Sequence, residues 1–311
     1  MKRPRRPPAR AEQRASSEPT SAPREHARTR RKTSASETRP HSGPPREPAA
    51  PPRSRGQVPQ DETQKVYGLS AVLAVMAQRP EQVLSIAHTR ATRHALANTL
   101  REAARRRIAY REVDDEELAR IAGSLHHEGV CLLAVEPREP ELAALASRTD
   151  PAGIMVALDG VQNPHNVGAI LRSAAFFGAA GLLLGGQRGA RAEGLPPAAL
   201  RVAEGGAEHV GVLRVPELMQ ALAELKRSGL RIVGADAHAQ HSLAELRWPA
   251  RAVLVLGSEA EGLRKEVLAL CDVTARIVGR GAIESLNVSV AAGVMLASYA
   301  ASLSSGSKTP R

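Results

Sequence analysis

The chain has 311 residues and a formal net charge of +11, with 42% hydrophobic but only 2% aromatic residues. Its two cysteines, Cys131 and Cys271, stand far apart without a CxxC pair. That spacing argues against a disulfide scaffold or a cysteine metal site, and no metal is expected in a reduced, cytoplasmic protein. No apolar stretch resembling a secretory signal opens the chain. The longest apolar run, Val288 to Leu303, is broken by Ser289, Ser298 and Ser302 and is too short to span a bilayer comfortably.

The charge is unevenly placed. Residues 1–60 hold 15 Lys/Arg against 5 Asp/Glu, while the rest hold 28 against 27, so the basic character belongs to an N-terminal tail. That tail also carries 12 of the 22 prolines and almost no large apolar side chains. It cannot bury enough surface to offset its ordering entropy, and disorder is expected over 1–62. Runs such as Lys2-Arg3-Pro4-Arg5-Arg6 and Arg28-Thr29-Arg30-Arg31-Lys32 suit polyanions. They would add RNA affinity through phosphate neutralisation, with little sequence preference.

From Gln64 the pattern changes. Val66-Tyr67-Gly68-Leu69 leads into a helix through Met76, and Val83–Ala87 predicts a buried strand. Thr89–Arg106 has helical spacing, Ile108–Val113 reads as a strand, and Asp114–Ala122 reads as a helix capped by Asp114 or Asp115. A turn at His126-His127-Glu128-Gly129 precedes a strand through Ala134. These elements predict a small α/β domain over 63–137. A polar bridge over 138–151 holds one short helix candidate.

Beyond it, strands are predicted at Ile154–Leu158, Gly181–Leu184, Val210–Leu213, Leu230–Ala235, Ala252–Leu256 and Val273–Ile277. Helical patterns fall between and after them, at Asn166–Phe177, Pro197–Ala203, Pro216–Lys226, Leu263–Leu270 and Leu286–Leu303. This alternation predicts a parallel sheet covered on both faces, over 152–304, with a short tail at 305–311. Scarce aromatics argue against a stacking platform as the basis of recognition.

Three segments carry candidate chemistry. Asn163-Pro164-His165-Asn166-Val167-Gly168, running on to Arg172, follows a strand and opens a helix, with Asn166 as the expected cap. Leu256-Gly257-Ser258-Glu259 ends a second strand, where Gly257 permits close backbone approach; Glu259 is expected to be at least partly buried, near Arg172 if the loops converge. Gly279-Arg280-Gly281 is a glycine-rich loop, and Glu284-Ser285-Leu286-Asn287-Val288-Ser289 starts the last helix. Each segment alone is an ordinary loop-to-helix junction. GxGxxG is absent after the first strand of either domain, so no dinucleotide fingerprint is present.

Taken in order, the three segments resemble the motifs of the SpoU (TrmH) class of RNA 2′-O-ribose methyltransferases. The match is most specific at Ser285-Leu286-Asn287-Val288-Ser289-Val290, and Asn166 and Arg172 keep the class spacing. The segment 65–136 is similar to the class's L30e-like RNA-binding domain, with Val66-Tyr67-Gly68 and His127-Glu128-Gly129-Val130 as signposts. The resemblance implies an α/β SPOUT fold whose C-terminal portion forms a trefoil knot. It also implies S-adenosylmethionine as cofactor, held largely by the backbone of Gly257, Ile277 and Leu286, and a homodimer with sites at its interface. Arg172 matches the catalytic arginine, with Asn166, Glu259, Ser285 and Asn287 completing the site. The chain departs from the class at Ile277-Val278-Gly279, where Ile-Pro-Met is common, so a looser cofactor loop is expected.

The implied substrate is RNA, ribosomal before transfer RNA. A guanidinium has no acceptor while protonated, so Arg172 is expected to hold a substrate phosphate and stabilise the developing alkoxide rather than act as a free base. The competing expectation is a catalytically weak RNA-binding or RNA-assembly protein on the same fold.

Overall fold

The computed structural model describes residues 62–186 and 194–306. The basic tail and its expected disorder lie outside these residues, as does the chain after 306.

The first sheet is built from β1 (Thr63–Tyr67), β2 (Val83–His88), β3 (Ala109–Glu112) and β4 (Val130–Val135), in the order β1-β4-β2-β3. Strand β4 runs antiparallel to both neighbours, while β2 and β3 are parallel. Helices α1 (Leu69–Gln78), α2 (Ala97–Arg105) and α3 (Asp115–Ala122) complete this half. Helix α3 begins as expected: Asp114 accepts a hydrogen bond from the Glu117 N–H at 2.7 Å, and Gly123 ends the helix in the left-handed region.

Two elements differ from expectation. Strand β1 precedes the expected helix; its polar start, Thr63-Gln64-Lys65, hides a strand that exists because β4 pairs with it. The single helix expected over 89–106 is instead a 3-10 turn at Arg90–Thr92 followed by α2. The Thr92 hydroxyl donates to the carbonyls of Gly129 (2.7 Å) and Thr89 (3.1 Å), tying this stretch to the turn before β4. Local side-chain bonding of this kind competes with helix.

After α4 (Leu142–Ser147) comes a seven-stranded sheet whose paired strands are all parallel. Its strands are β5 (Gly153–Asp159), β6 (Gly181–Gly185), β7 (Gly211–Val215), β8 (Arg231–Ala235), β9 (His241–Ser242), β10 (Arg251–Gly257) and β11 (Val273–Arg276). The spatial order is β7-β6-β5-β10-β8-β11-β9. The two-residue β9 was not expected from the sequence, being too short to carry a pattern. Helices α5 (Pro164–Phe176), α6 (Pro197–Ala203), α7 (Leu218–Arg227), α8 (Lys265–Leu270) and α9 (Val288–Gly306) cover the faces.

Alternate residues of the central strands feed two cores, as a period of two requires. Ile154, Val156, Leu158, Leu254 and Leu256 pack with Ile170, Leu171, Met295 and Leu296 of α5 and α9. Met155, Ala157, Val253 and Val255 pack on the other side with Leu222 and Leu225 of α7 and Val267 of α8. Both faces are buried, which is why these strands read as continuous apolar runs. No helix among the described residues is long and apolar enough to cross a membrane.

The small sheet and the large one share a fastened joint. Leu200 of α6 inserts into the core of the small domain. Arg79, after α1, grips Glu208 with two bonds of 2.8 and 3.0 Å and donates to the Val135 carbonyl at 2.7 Å. Both charged side chains are under 10% exposed, so the fork matches a carboxylate shielded from water.

Burial also sets an alkaline limit on stability. It pushes the Cys131 and Cys271 thiols up to about 11 and the Tyr299 phenol up to about 12. The Tyr299 hydroxyl donates to the Ala250 carbonyl at 2.5 Å and needs its proton to do so. These acids ionise first in the unfolded chain, near about 8.5 for thiols and 10 for tyrosine. The thiols' contribution is therefore full below about pH 8.5 and lost as pH rises through about 11, and the phenol's is full below about pH 10 and lost through about 12. The melting temperature is expected to fall by several degrees between pH 8 and 10.5, and Cys131→Ala should flatten part of that slope. A flat profile in the parent protein would contradict it.

Candidate active site

Because the strands are parallel, the ends of β5, β10 and β11 meet at one edge of the sheet, the edge where open α/β sheets place ligands. Asp159 closes β5, Gly257 closes β10, and the segment 277–287 follows β11.

Helix α5 starts at Pro164, two residues before the expected Asn166. Its cap is Asn163, whose side-chain oxygen accepts from the His165 N–H at 2.9 Å, with Pro164 in the first turn. This corrects the expectation that Asn166 caps the helix. Asn166 lies inside the first turns, 9% exposed, with its amide free for other partners.

Those partners join the three motifs. The Asn166 amide donates to the Glu259 carboxylate after β10, and the Asn287 amide donates to the Asn166 oxygen at 3.1 Å. The Asn287 oxygen accepts in turn from the Ser289 N–H (2.9 Å) and hydroxyl (2.6 Å). A directed chain thus runs from the start of α9 through α5 to a carboxylate. Asn287 also shapes the first turn of α9, so the same side chain starts a helix and ties it to the site.

Arg172 is not part of this chain. It pairs with Glu204 at 2.7 Å, on the exposed side of α5. Glu204 ends α6 with a φ of 47°, a left-handed conformation that turns its side chain towards α5. The two helices lie close because Gly168 has no side chain: a Cβ there would come 2.5 Å from the Ala199 carbonyl oxygen. Glu259 is exposed, and its hydrogen bond goes to Asn166 rather than towards Arg172, correcting the expected burial and pairing. Ser285 is exposed and its hydroxyl makes no hydrogen bond within the described residues. Leu286 is 49% exposed, and Ile277 is half-buried against the core.

Two further groups were not singled out from the sequence. Asp159, 3% exposed, accepts from the Arg264 side chain at 2.7 Å and its backbone N–H at 3.0 Å. This pins the start of α8 to the end of β5, across 105 residues of chain. Between these anchors the loop 258–263 folds back on itself, with the Gly262 N–H donating to the Ser258 carbonyl at 2.9 Å. The Gly257 Cα is roofed by that turn: a Cβ there would overlap the backbone of Gly262 and Leu263.

The model of the SpoU rRNA methylase family matches residues 153–297, the large domain and all three motifs. A second model, described as RNA 2′-O ribose methyltransferase substrate binding, matches residues 65–140. The 23S rRNA (guanosine-2′-O-)-methyltransferase RlmB of Xylella fastidiosa is 35% identical over 239 residues, covering 76% of this chain and 95% of that protein.

The chain belongs to the SpoU rRNA methylase family.

It is accordingly an RNA 2′-O-methyltransferase that uses S-adenosylmethionine. Another relative is YfiF of Escherichia coli O157:H7, described as an uncharacterised tRNA/rRNA methyltransferase. It is 34% identical over 238 residues, covering 76% of this chain and 68% of that protein. Among solved structures, the SpoU methyltransferase AviRb of Streptomyces viridochromogenes, in complex with AdoMet, aligns with a TM-score of 0.65 over 79% of this chain and 92% of its own. At 22% identity that likeness speaks for the fold.

Proposed function

We propose that this enzyme methylates a ribose 2′-hydroxyl in structured RNA, ribosomal RNA in preference to transfer RNA, as a cytoplasmic homodimer. The observation that carries the reading is the hydrogen-bond chain Glu259–Asn166–Asn287, which unites three distant motifs at the ligand-binding edge of the sheet. The preference for ribosomal RNA is supported by RlmB, whose length is almost fully matched.

The cofactor cradle is assigned to the backbone of Gly257, Ile277 and Leu286. The residues fit such a group. The turn 258–263 packs directly on the Gly257 Cα, so only main chain is presented there, and nothing lies within 4 Å of where a Cβ would sit at Gly279 or Gly281. Val278, Ile283 and Leu286 expose apolar surface around that opening, which an adenosine could cover. We read the segment 277–287 as the threaded part of a trefoil knot. The strand order supports this: β11 lies beyond β8, so the chain leaves β10 and passes to the far side of β8 before returning in α9 against α5.

S-adenosylmethionine supplies an electrophilic methyl on a sulfonium. This chain's own residues hold the acceptor. The Arg172 guanidinium binds the phosphate beside the target ribose and faces the developing alkoxide charge. That phosphate takes the hydroxyl proton, since a protonated guanidinium cannot. Asn166, Glu259 and Asn287 hold the floor of the site rigid, and Ser285 and Arg172 are left facing solvent for RNA.

Dimerisation is supported by an apolar strip. Phe176 on α5 is 82% exposed, and Val290 and Val294 on the adjacent α9 are 51% and 39% exposed. Gly293 lies opposite Ser173 between them, so the strip spans two packed helices. The small domain, 63–137, meets the RNA through its own surface, and the bridge 138–151 leads into the catalytic domain, 152–304.

Calorimetry with S-adenosylmethionine on the full chain is the test, followed by methyl transfer from labelled cofactor to ribosomal RNA. Saturable binding is expected, weakened about tenfold by Asn287→Ala, which is about 1.4 kcal/mol. A folded protein that binds no cofactor would overturn the reading in favour of a non-catalytic RNA-binding role.

A further inference from the structure

The small domain holds an open cleft of about 800 Å³, lined by α2, the end of β2 and the edge strand β3 and by no residue of the three motifs. Residues 88–111 carry seven arginines and one acid, Glu102. Four of these arginines, Arg90, Arg93, Arg101 and Arg111, line the cleft with His94 and the buried His88. Arg90 meets no acidic side chain among the described residues. Arg93 has only a long pairing with Glu112 at 3.6 Å, 72% exposed on its own side. Arg101 donates to Asn98 at 2.5 Å and to the Ala97 carbonyl at 3.3 Å, and pairs with no carboxylate among the described residues. Arg111 pairs with Glu117 outside the cleft, at 2.6 Å. Glu112 is the one acid in the lining.

Among these cations stands Tyr110, 47% exposed on the edge strand. Aromatics are scarce in this chain, yet one of its three tyrosines stands exposed beside the arginines that line this cleft. Scarce aromatics argue against an extended stacking platform, but a single stacked base needs only this one side chain.

We propose that this cleft is a second RNA subsite that takes an unpaired segment of the substrate, one base stacking on Tyr110 while the flanking phosphates lie against Arg90, Arg93 and Arg101. The inference rests on the reading that the small domain meets the substrate. Arginines on phosphates fix position, and a π-face accepts any unstacked base. A duplex keeps its bases inside and offers nothing for the tyrosine, so loops and single strands are selected. Anchoring a loop here, on a domain clamped through Arg79–Glu208, sets a fixed distance between that loop and the reacting ribose.

Fluorescence anisotropy of the full chain with two labelled RNAs of equal length, one fully paired and one unpaired, tests this. Tyr110→Ala should weaken the unpaired RNA about tenfold and leave the duplex within about twofold, and Tyr110→Phe should restore wild-type binding. The Arg90→Ala/Arg101→Ala double variant should lower the salt slope for unpaired RNA by about 1.4, at about 0.7 per single-strand phosphate. The basic tail is common to every variant and cancels in the comparison. All these side chains are exposed, and unchanged circular dichroism checks the fold. An unchanged affinity of Tyr110→Ala for unpaired RNA, or an equal loss on both RNAs, overturns the subsite. Cofactor calorimetry on the same proteins separates the two readings: wild-type cofactor binding with no Tyr110 effect sinks only the subsite, whereas absent cofactor binding sinks only the methyltransferase mechanism.

Discussion

Gly257→Ala should abolish detectable S-adenosylmethionine binding and lower the melting temperature by several degrees. The reason is local and steric. The turn 258–263 closes back over the end of β10, held by the Gly262–Ser258 hydrogen bond and by the Asp159–Arg264 pair behind it. A methyl at 257 would overlap main-chain atoms of Gly262 and Leu263, and main chain cannot rotate aside as a side chain can. Relief requires the turn to lift, which moves Glu259 away from Asn166. Overpacking of this kind costs about 1–3 kcal/mol, or about 2–4 °C per kcal/mol in a domain of this size. Gly279→Ala is the matched control. Its Cβ would meet open space, so it should leave stability unchanged and affect only the cofactor loop. Equal cofactor affinity in Gly257→Ala and the parent, measured by calorimetry, would remove position 257 from the site.

The strands of the large domain were legible because both faces are buried: β5, β6 and β10 read as apolar runs that no surface element would show. Helix α6 fell on its predicted bounds because Pro196-Pro197 marks its start. The motif residues were legible as a pattern, yet their partners were not. The start of α5 is ambiguous in the sequence although Pro164 signals a first helical position, because the second asparagine, Asn166, is of an equally good capping type. What makes Asn166 a poor cap is tertiary: its amide is held between a carboxylate 93 residues later and an amide 121 residues later. Sequence periodicity has no access to such pairings. The same holds for β1, a half-polar stretch that becomes a strand only beside β4, and for Asp159, whose burial is tolerable only because Arg264 returns to meet it.

Glu204 is the clearest case. Nothing in the local sequence marks it, since it follows an ordinary helix and precedes two glycines. Its left-handed conformation and the close approach allowed by Gly168 together put its carboxylate on Arg172. The expected partner, Glu259, was the acid that belonged to a recognisable motif. The structure therefore separates two jobs that the sequence had merged. One carboxylate anchors the asparagine chain at the sheet edge, and the other holds the arginine on the outer side of α5.

That separation makes Arg172 testable without disturbing the cofactor cradle. Arg172→Lys should reduce methyl transfer at least about a hundredfold while leaving S-adenosylmethionine affinity within about twofold. Loss of a donor aimed at developing negative charge typically costs on the order of 10²–10³ in rate. A lysine keeps the charge but presents a single point, so it cannot hold Glu204 and a phosphate with separate nitrogens. Glu204→Gln should behave differently. The pair is exposed on both sides, 58% and 46%, so its loss should shift the melting temperature by no more than about a degree. It should nevertheless lower the turnover about threefold to tenfold, because the guanidinium then samples orientations the carboxylate had excluded. In the double variant the Glu204 effect should vanish, since a positioning group has nothing left to position. Additive losses would show that Glu204 acts on the RNA directly, and a fully active Arg172→Lys enzyme would end the argument that a guanidinium fork orients the phosphate.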